Sequence, residues 1–507
     1  MVLHTLQPAI DKTHMRHIQI TQQDNVAIAL QDLAAGETVA GLKLRDAIPR
    51  GHKFAISAIP IGGLVIKYGL PIGSASAAIA PGEHVHSHNL KTRLSGIVEY
   101  HYDGPPAPVT LPTFPEATFQ GYRRADGRIG IRNHLFIVPT VGCINKLAEG
   151  LAAAFNRQKP ASSAIDRAIA LTHPYGCSQL GDDHETTRAI LAAHVRHPNA
   201  AGVLVLGLGC ENNTIESFRE LVGAGVPQRR RFLVSQEVDD DFAVGLQALH
   251  DLAAAAANDR REPISASELI IGLKCGGSDG LSGITANPLL GRFSDRLVAL
   301  GGTTLLGEVP EMFGAETLLM QRCETAEVFQ KCVAMINDFK NYFTRHGQVI
   351  YENPSPGNKA GGISTLEDKS LGCTQKGGST NVVDVLSAGE TPSRRGLNLL
   401  SGPGNDMVAT TLLSAAGAHL VLFTTGRGTP FGGVVPTLKI ATNTALAERK
   451  PHWIDFDAGR ILEEHADRNA IDQAFFQLVL DTASGQVARN EIHGHEEIAI
   501  FKDGVTL

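Results

Sequence analysis

The sequence predicts an α/β protein: a small all-β module at the N-terminus, followed by a parallel-sheet α/β part built as two subdomains. Three observations carry this prediction. Short β runs broken by glycine and proline fill the first hundred residues, a proline-rich break follows, and from there on the chain repeats strand, glycine-bearing loop and helix. With 507 residues, 43% of them hydrophobic, the chain can bury large cores, and its length suits about three domains.

The expected β module covers residues 1–102. Its runs at 27–30, 54–58, 64–68 and the stretch ending at His88 are separated by Gly51, Gly62, Gly63, Gly69, Pro71, Gly73, Pro81 and Gly82. Residues 103–120 contain Gly104, Pro105, Pro106, Pro108, Pro112 and Pro115, a composition suited to a semi-rigid linker. The apolar runs 135–139, 168–171 and 202–208 each lead through a glycine-bearing loop toward a helical pattern, which defines a first α/β unit over 121–262. The same rhythm at 269–273, 303–306 and 420–425 defines a second unit over 263–507. In such sheets the loops leaving the carboxyl ends of the strands bind ligands.

A net charge of -7 argues against a nucleic-acid or membrane-surface partner. The basic run Arg229-Arg230-Arg231 reads as a solvated turn before a strand. No stretch of ~18 apolar residues occurs, and the polar start through Gln7, Asp11, Lys12 and His14 lacks a signal-peptide pattern, so a cytoplasmic location is expected. Seven scattered cysteines do not form a disulfide framework and are expected as reduced thiols. Base rates alone suggest a homo-oligomer.

Three thiols stand in equivalent positions just beyond expected strands: Cys177 in His173-Pro174-Tyr175-Gly176-Cys177, Cys210 in Gly209-Cys210-Glu211-Asn212-Asn213, and Cys275 in Lys274-Cys275-Gly276-Gly277. Thiolates there suit iron, zinc or an iron–sulfur cluster; the competing reading makes each a small buried hydrophobe. Cys373 is a weaker fourth candidate, and Cys143, Cys323 and Cys332 are assigned to the core. His84, His86 and His88 alternate, which in a strand projects all three imidazoles from one face, ready for metal binding or proton transfer. Polar loops carry Ser278, Asp279, Thr285 and Asn287, then Asn358 and Lys359, then Arg427, groups that hold carboxylates and polyols. Lys359 and Arg427 are the expected partners of a substrate carboxylate. Glu308, Glu311 and Glu316 are read as capping and solvating one helix. No phosphate-loop or dinucleotide fingerprint is present, which excludes the common nucleotide-binding classes.

The segments Gly51-His52-Lys53-Phe54-Ala55, Val65-Ile66-Lys67-Tyr68-Gly69 and Gly82-Glu83-His84-Val85-His86 resemble the SAF domain, a β-clip-like module. Together with Gly121-Tyr122-Arg123-Arg124, Gly127-Arg128-Ile129-Gly130-Ile131-Arg132-Asn133 and the cysteine and glycine loops, they make nearly the whole chain similar to the altronate/galactarate dehydratase family. The histidine-rich end of the β module looks more like the altronate branch. The resemblance implies dehydration of D-altronate to 2-dehydro-3-deoxy-D-gluconate in hexuronate breakdown. Galactarate or another aldarate is the rival substrate, and sulfite elimination from sulfolactate a more remote one. It also implies Fe2+, expected at Cys177, Cys210 and Cys275, where three thiols with an open fourth position would equally suit an iron–sulfur cluster. Proton transfer would fall to His86, His88 or His184, and carboxylate binding to Lys359 and Arg427. A non-catalytic sugar-acid binding protein is the reading from a different class.

Overall fold

The computed structural model describes residues 16–107 and 109–507; Gln7, Asp11, Lys12, His14 and Pro108 lie outside them. The β module packs a four-stranded antiparallel sheet, ordered His17–Ile18, Val26–Ala29, Lys53–Ala55 and His84–Val85, against a three-stranded one of Leu64–Lys67, Leu70–Ala75 and Leu90–Lys91. Its core is not closed on itself. Val26, Val65, Ile72 and Val85 share one apolar cluster with Leu281, Ala315 and Leu371 from far along the chain, so the module is built to be docked.

Residues 92–107 and 109–117 have no regular secondary structure, as the proline-rich composition predicts. The segment does not act as a free spacer. Leu94, Tyr100 and Tyr102 pack on the largest core, and the Tyr100 hydroxyl donates to Glu316 (2.6 Å) while accepting from Lys340 (2.8 Å).

Strand Thr118–Arg123 pairs antiparallel with Glu262–Ser265, so entry to and exit from the following unit lie side by side. Between them a four-stranded parallel sheet is ordered Ala168–Ala170, His134–Pro139, Ala200–Gly207, Arg230–Val234. Helices Asn145–Gln158 and Asp241–Ala255 cover one face, and Gly181–Val195 and Ile215–Val222 the other. The expected basic turn ends at Arg229, whose guanidinium bonds Asp259 at 2.6 Å before the strand begins at Arg230.

The last unit holds a seven-stranded, wholly parallel sheet. Its order is Val382–Leu386, Gly396–Leu400, Thr303–Leu306, Ile270–Cys275, Leu420–Thr425, Thr437–Ala441, Phe456–Asp457. Both faces of its central strands are buried, which is why those segments read as unbroken apolar runs. Among the described residues no helix is long and apolar enough to cross a membrane.

Candidate active site

The β module meets the seven-stranded unit through glycine backbone. A Cβ on Gly280 would lie 2.0 Å from the Gly51 carbonyl oxygen, and one on Gly362 would lie 2.3 Å from the same atom, so only glycine allows this approach. Beneath the contact, Lys53 and Lys67 of the β module both reach the Asp368 carboxylate, at 2.8 and 2.9 Å, with all three side chains at 0–1% exposure. Burial works to raise the Asp368 carboxyl, yet the two ammonium groups hold it far below the usual carboxylate range.

This docking seats a group of imidazoles against the short helix Pro356–Ala360. That helix starts where it does because Ser355 and Asn358 form a reciprocal capping box, with proline at the first helical position. His86 Nε2 lies 2.9 Å from the Lys359 carbonyl, and His52 Nε2 lies 3.3 Å from that of Ala360. A carbonyl only accepts, so both Nε2 atoms carry the proton. His52 Nδ1 is then an acceptor for His84 Nε2 at 3.1 Å, which leaves a lone pair on His84 Nδ1. The strand ends at Val85, and a turn rather than an extended strand brings the rings together. His84 lies 5.6 Å from His86 and 5.5 Å from His88 between ring centroids. His52, which alternation in the strand does not reveal, joins the group from the neighbouring strand.

Burial first, and then neighbouring imidazoles and Lys53, push His84 down to about 4; burial followed by Lys53 does the same for His86. The sign of the linkage follows. Above pH ~6.5 both rings are neutral folded or unfolded, and between ~6.5 and about 4 only the unfolded chain takes up their protons, so stability is lost across that window. Urea midpoints measured from pH 7.5 to 4.5 are expected to fall most steeply in that interval, and a double His84→Asn/His86→Asn variant to flatten the fall.

Asp279 sits beside this interface. Its carboxylate accepts from Thr442 Oγ1 (3.0 Å), Ser282 Oγ (3.1 Å) and Asn443 Nδ2 (3.2 Å), and burial pushes its carboxyl up despite these bonds. The Lys359 ammonium and the exposed Arg427 guanidinium make no hydrogen bond or ion pair with any described residue. Arg427 nevertheless lies against the same helix, with its Nε 3.8 Å from where a Cβ on Gly357 would be. A narrow cavity lined by Ser278, Asp279, Asn287, Asp368, Lys369 and Cys373 runs inward from here.

At its inner end Cys275, Cys373 and Glu311 converge. Both thiols lie against Glu311 Oε2, at 3.1 and 3.2 Å, and their sulfurs are 3.3 Å apart. Lys369 bonds the other Glu311 oxygen (2.7 Å), Lys376 bonds Glu308 (2.8 Å), and Lys274 bonds Glu308 and Asp406. Burial opposes ionisation of Glu311, but Lys369, Lys376 and Lys274 bring its carboxyl down to about 2. Three ammonium groups thus face three carboxylates. A divalent cation arriving with loss of two thiol protons would leave that balance unchanged, and two sulfurs with one carboxylate suit a borderline metal such as Fe2+ or Zn2+. These residues fit a metal ion, and they are the one such group of three ligand atoms within 4.8 Å of one another among the described residues.

The expected ligand set of Cys177, Cys210 and Cys275 is therefore divided. Cys275 is at the end of a central strand of the seven-stranded sheet with Cys373 as its neighbour, whereas Cys177 and Cys210 are exposed on loops of the four-stranded sheet. Cys143 is exposed and not in the core. Glu308, Glu311 and Glu316 are buried ion-pair partners and not solvated caps. His184 stands apart from the other imidazoles, in helix Gly181–Val195, with Nδ1 buried and unpartnered. Thr285 has its hydroxyl 2.8 Å from the Thr442 carbonyl, and the Asn287 amide is taken up by Thr424 and the Gly372 carbonyl. The Asn358 amide caps its helix and donates to the Ser278 carbonyl. These three hold loops in place. Glu311, Asp368 and Lys369 were missed because a charge that is buried by distant chain looks like a surface charge in the sequence.

Two parallel-sheet units, with a β module docked on the seven-stranded one and titratable groups gathered at that junction, define a multidomain α/β enzyme. Family models for the altronate/galactarate dehydratase SAF domain, the D-galactarate dehydratase/altronate hydrolase second domain and the D-galactarate/altronate dehydratase C-terminal domain match residues 15–93, 121–257 and 266–506. The chain is 54% identical over 501 residues to an altronate dehydratase of Bacillus subtilis, covering 97% of this chain and 99% of that protein. It is 55% identical over 498 residues to an altronate dehydratase of Escherichia coli, covering 97% and 100%. Identity to the galactarate dehydratase (L-threo-forming) of Escherichia coli is 35% over 507 residues, 96% of each chain. The chain belongs to the altronate/galactarate dehydratase family.

Proposed function

We propose that this protein dehydrates D-altronate to 2-dehydro-3-deoxy-D-gluconate, in the junction between the β module and the seven-stranded unit. The observation that carries the location is the seating of the imidazole cluster on the helix that bears Lys359, beside Arg427. Preference for altronate over galactarate rests on identities of 54–55% against 35%.

A proton α to a carboxylate is weakly acidic, so its removal needs a base together with cations where charge develops on the carboxylate oxygens. His84 Nδ1 offers the lone pair, because His84 Nε2–H donates to His52 Nδ1 and burial keeps the ring neutral at pH 7. Lys359 and Arg427, free of partners among the described residues, hold the carboxylate, Arg427 in a two-point grip. Asp279, with its carboxyl raised by burial, is placed to protonate the departing C3 hydroxyl. A metal held by Cys275, Cys373 and Glu311 would supply further stabilisation of the developing negative charge. An intracellular location suits reduced thiols at that site.

The test is turnover of D-altronate and galactarate, and sulfite release from sulfolactate, by protein purified without oxygen and loaded with Fe2+, beside a chelator control. Altronate turnover that is abolished by the chelator is expected; binding of altronate without any turnover would return the protein to the sugar-acid binding class. In the same assay Arg427→Lys is expected to raise KM by about tenfold, the loss of roughly 1.4 kcal/mol of carboxylate binding, with kcat changed less. An unchanged KM would remove Arg427 from the substrate.

A further inference from the structure

The proposed reaction leaves Cys143, Cys177 and Cys210 unused, and these three cysteines are the exposed ones while the other four are buried. They follow three adjacent strands of the four-stranded parallel sheet, His134–Pro139, Ala168–Ala170 and Ala200–Gly207, at the ends where ligands bind in such sheets.

Their loops are fastened to one another within three residues of each thiol. Gly142 N donates to the Tyr175 carbonyl (2.8 Å), Asn213 N to that of Gly176 (3.1 Å), and Ser178 N to Asn212 Oδ1 (2.9 Å). A Cβ on Gly176 would lie 1.9 Å from the Thr140 carbonyl, so the Cys177 loop lies directly on the Cys143 loop. The Glu211 carboxylate takes the N–H groups of Leu208, Gly209 and Cys210 and the Thr140 hydroxyl, which fixes Cys210 without using its sulfur. In the same loops Gln179 Nε2 and Asn213 Oδ1 have no partner among the described residues, although these residues are 98% and fully buried. Of the two, Gln179 Nε2 is a free donor of the kind that thiolate and sulfide sulfur accept.

The spacing selects what that group is. Two sulfurs on one ion can be no farther apart than about 4.6 Å, twice a metal–sulfur bond of about 2.3 Å. The three thiols are not among the residues whose ligand atoms gather within 4.8 Å, so they are too widely set for one ion. A polynuclear cluster, in which each thiolate takes a different iron, does not require the sulfurs to lie within one ion's reach. Gln236 Nε2, 3.7 Å from Cys210 Sγ, supplies the kind of hydrogen bond to sulfur that tunes such clusters.

We propose that Cys143, Cys177 and Cys210 are the protein ligands of a [4Fe–4S] cluster whose remaining iron is open to an oxygen ligand from solution. The assignment does not rest on the reaction proposed above, and its readout is separate from turnover. Protein purified without oxygen and reconstituted with ferrous iron and sulfide is to be assayed for iron, acid-labile sulfide and the paramagnetic resonance of the reduced cluster. About four acid-labile sulfides per chain are expected, with four iron in addition to the one held by Cys275, Cys373 and Glu311. Each of Cys143→Ser, Cys177→Ser and Cys210→Ser should lose most of the sulfide while keeping the melting temperature of the cluster-free parent, because these thiols are exposed. Cys373→Ser should retain it. Absence of acid-labile sulfide in the parent, iron without sulfide, or full sulfide in the triple serine variant would each overturn the assignment.

Discussion

Replacing Asp368 with Asn is expected to lower folding stability by about 3–5 kcal/mol, the range found when one partner of a buried ion pair is removed. Lys53 and Lys67 would keep their ammonium groups at 0–1% exposure with no counter-charge. The two lysines belong to the β module and Asp368 to the helix Leu366–Cys373, so the loss should appear first as undocking. Denaturant unfolding measures the stability, and proteolysis within residues 92–117 reports the undocking, since that stretch would lose the surface that holds it. A joint Lys53→Met, Lys67→Met, Asp368→Leu replacement should recover part of the loss, because it removes the buried charges together. A change below about 1 kcal/mol for Asp368→Asn would mean that the lysines find solvent or another anion. The pH dependence has a definite sign. A carboxyl depressed in the folded state contributes fully above its unfolded value of ~3.9, and that contribution is lost only as pH falls through the folded value.

The second large effect is on rate. His84→Gln should reduce kcat for dehydration by about 10²–10⁴-fold, the usual share of a general base, with KM close to that of the parent. His52→Gln should fall between the two, because it touches no substrate and acts by fixing the protonated nitrogen of His84. Exchange of the α proton with solvent separates the alternatives: a His84 variant that still exchanges the proton at the parent rate would assign the base elsewhere, with His86 and His88 next in line.

Much of the fold was legible. Strands at 303–306 and 420–425 fall where their apolar runs place them, and the four-stranded sheet contains all three strands expected between residues 121 and 262. The strands Val382–Leu386, Gly396–Leu400 and Thr437–Ala441 were not foreseen. Asp384, Asn398 and Lys439 interrupt their hydrophobic pattern, and a polar residue within an apolar run reads as loop until its burial partners are known. The imidazoles were legible as a group from spacing alone, although a turn and not a continuous strand gathers them.

The sequence by itself determined the class of each part, their order along the chain and the family, because periodicity and turn chemistry are local and long motifs survive without any knowledge of contacts. It also marked Cys275, Asp279, Lys359 and Arg427 as chemically able. Only the tertiary structure decided which of them meet. It joined Cys275 to Cys373 and Glu311, separated it from Cys177 and Cys210, brought Cys143 to the surface, and placed His52 and Asp368 at a junction between segments some three hundred residues apart. The physical reason is that a parallel sheet orders its strands by packing and not by sequence, so which loops share an edge, and which charges lose water together, is settled only when the layers close.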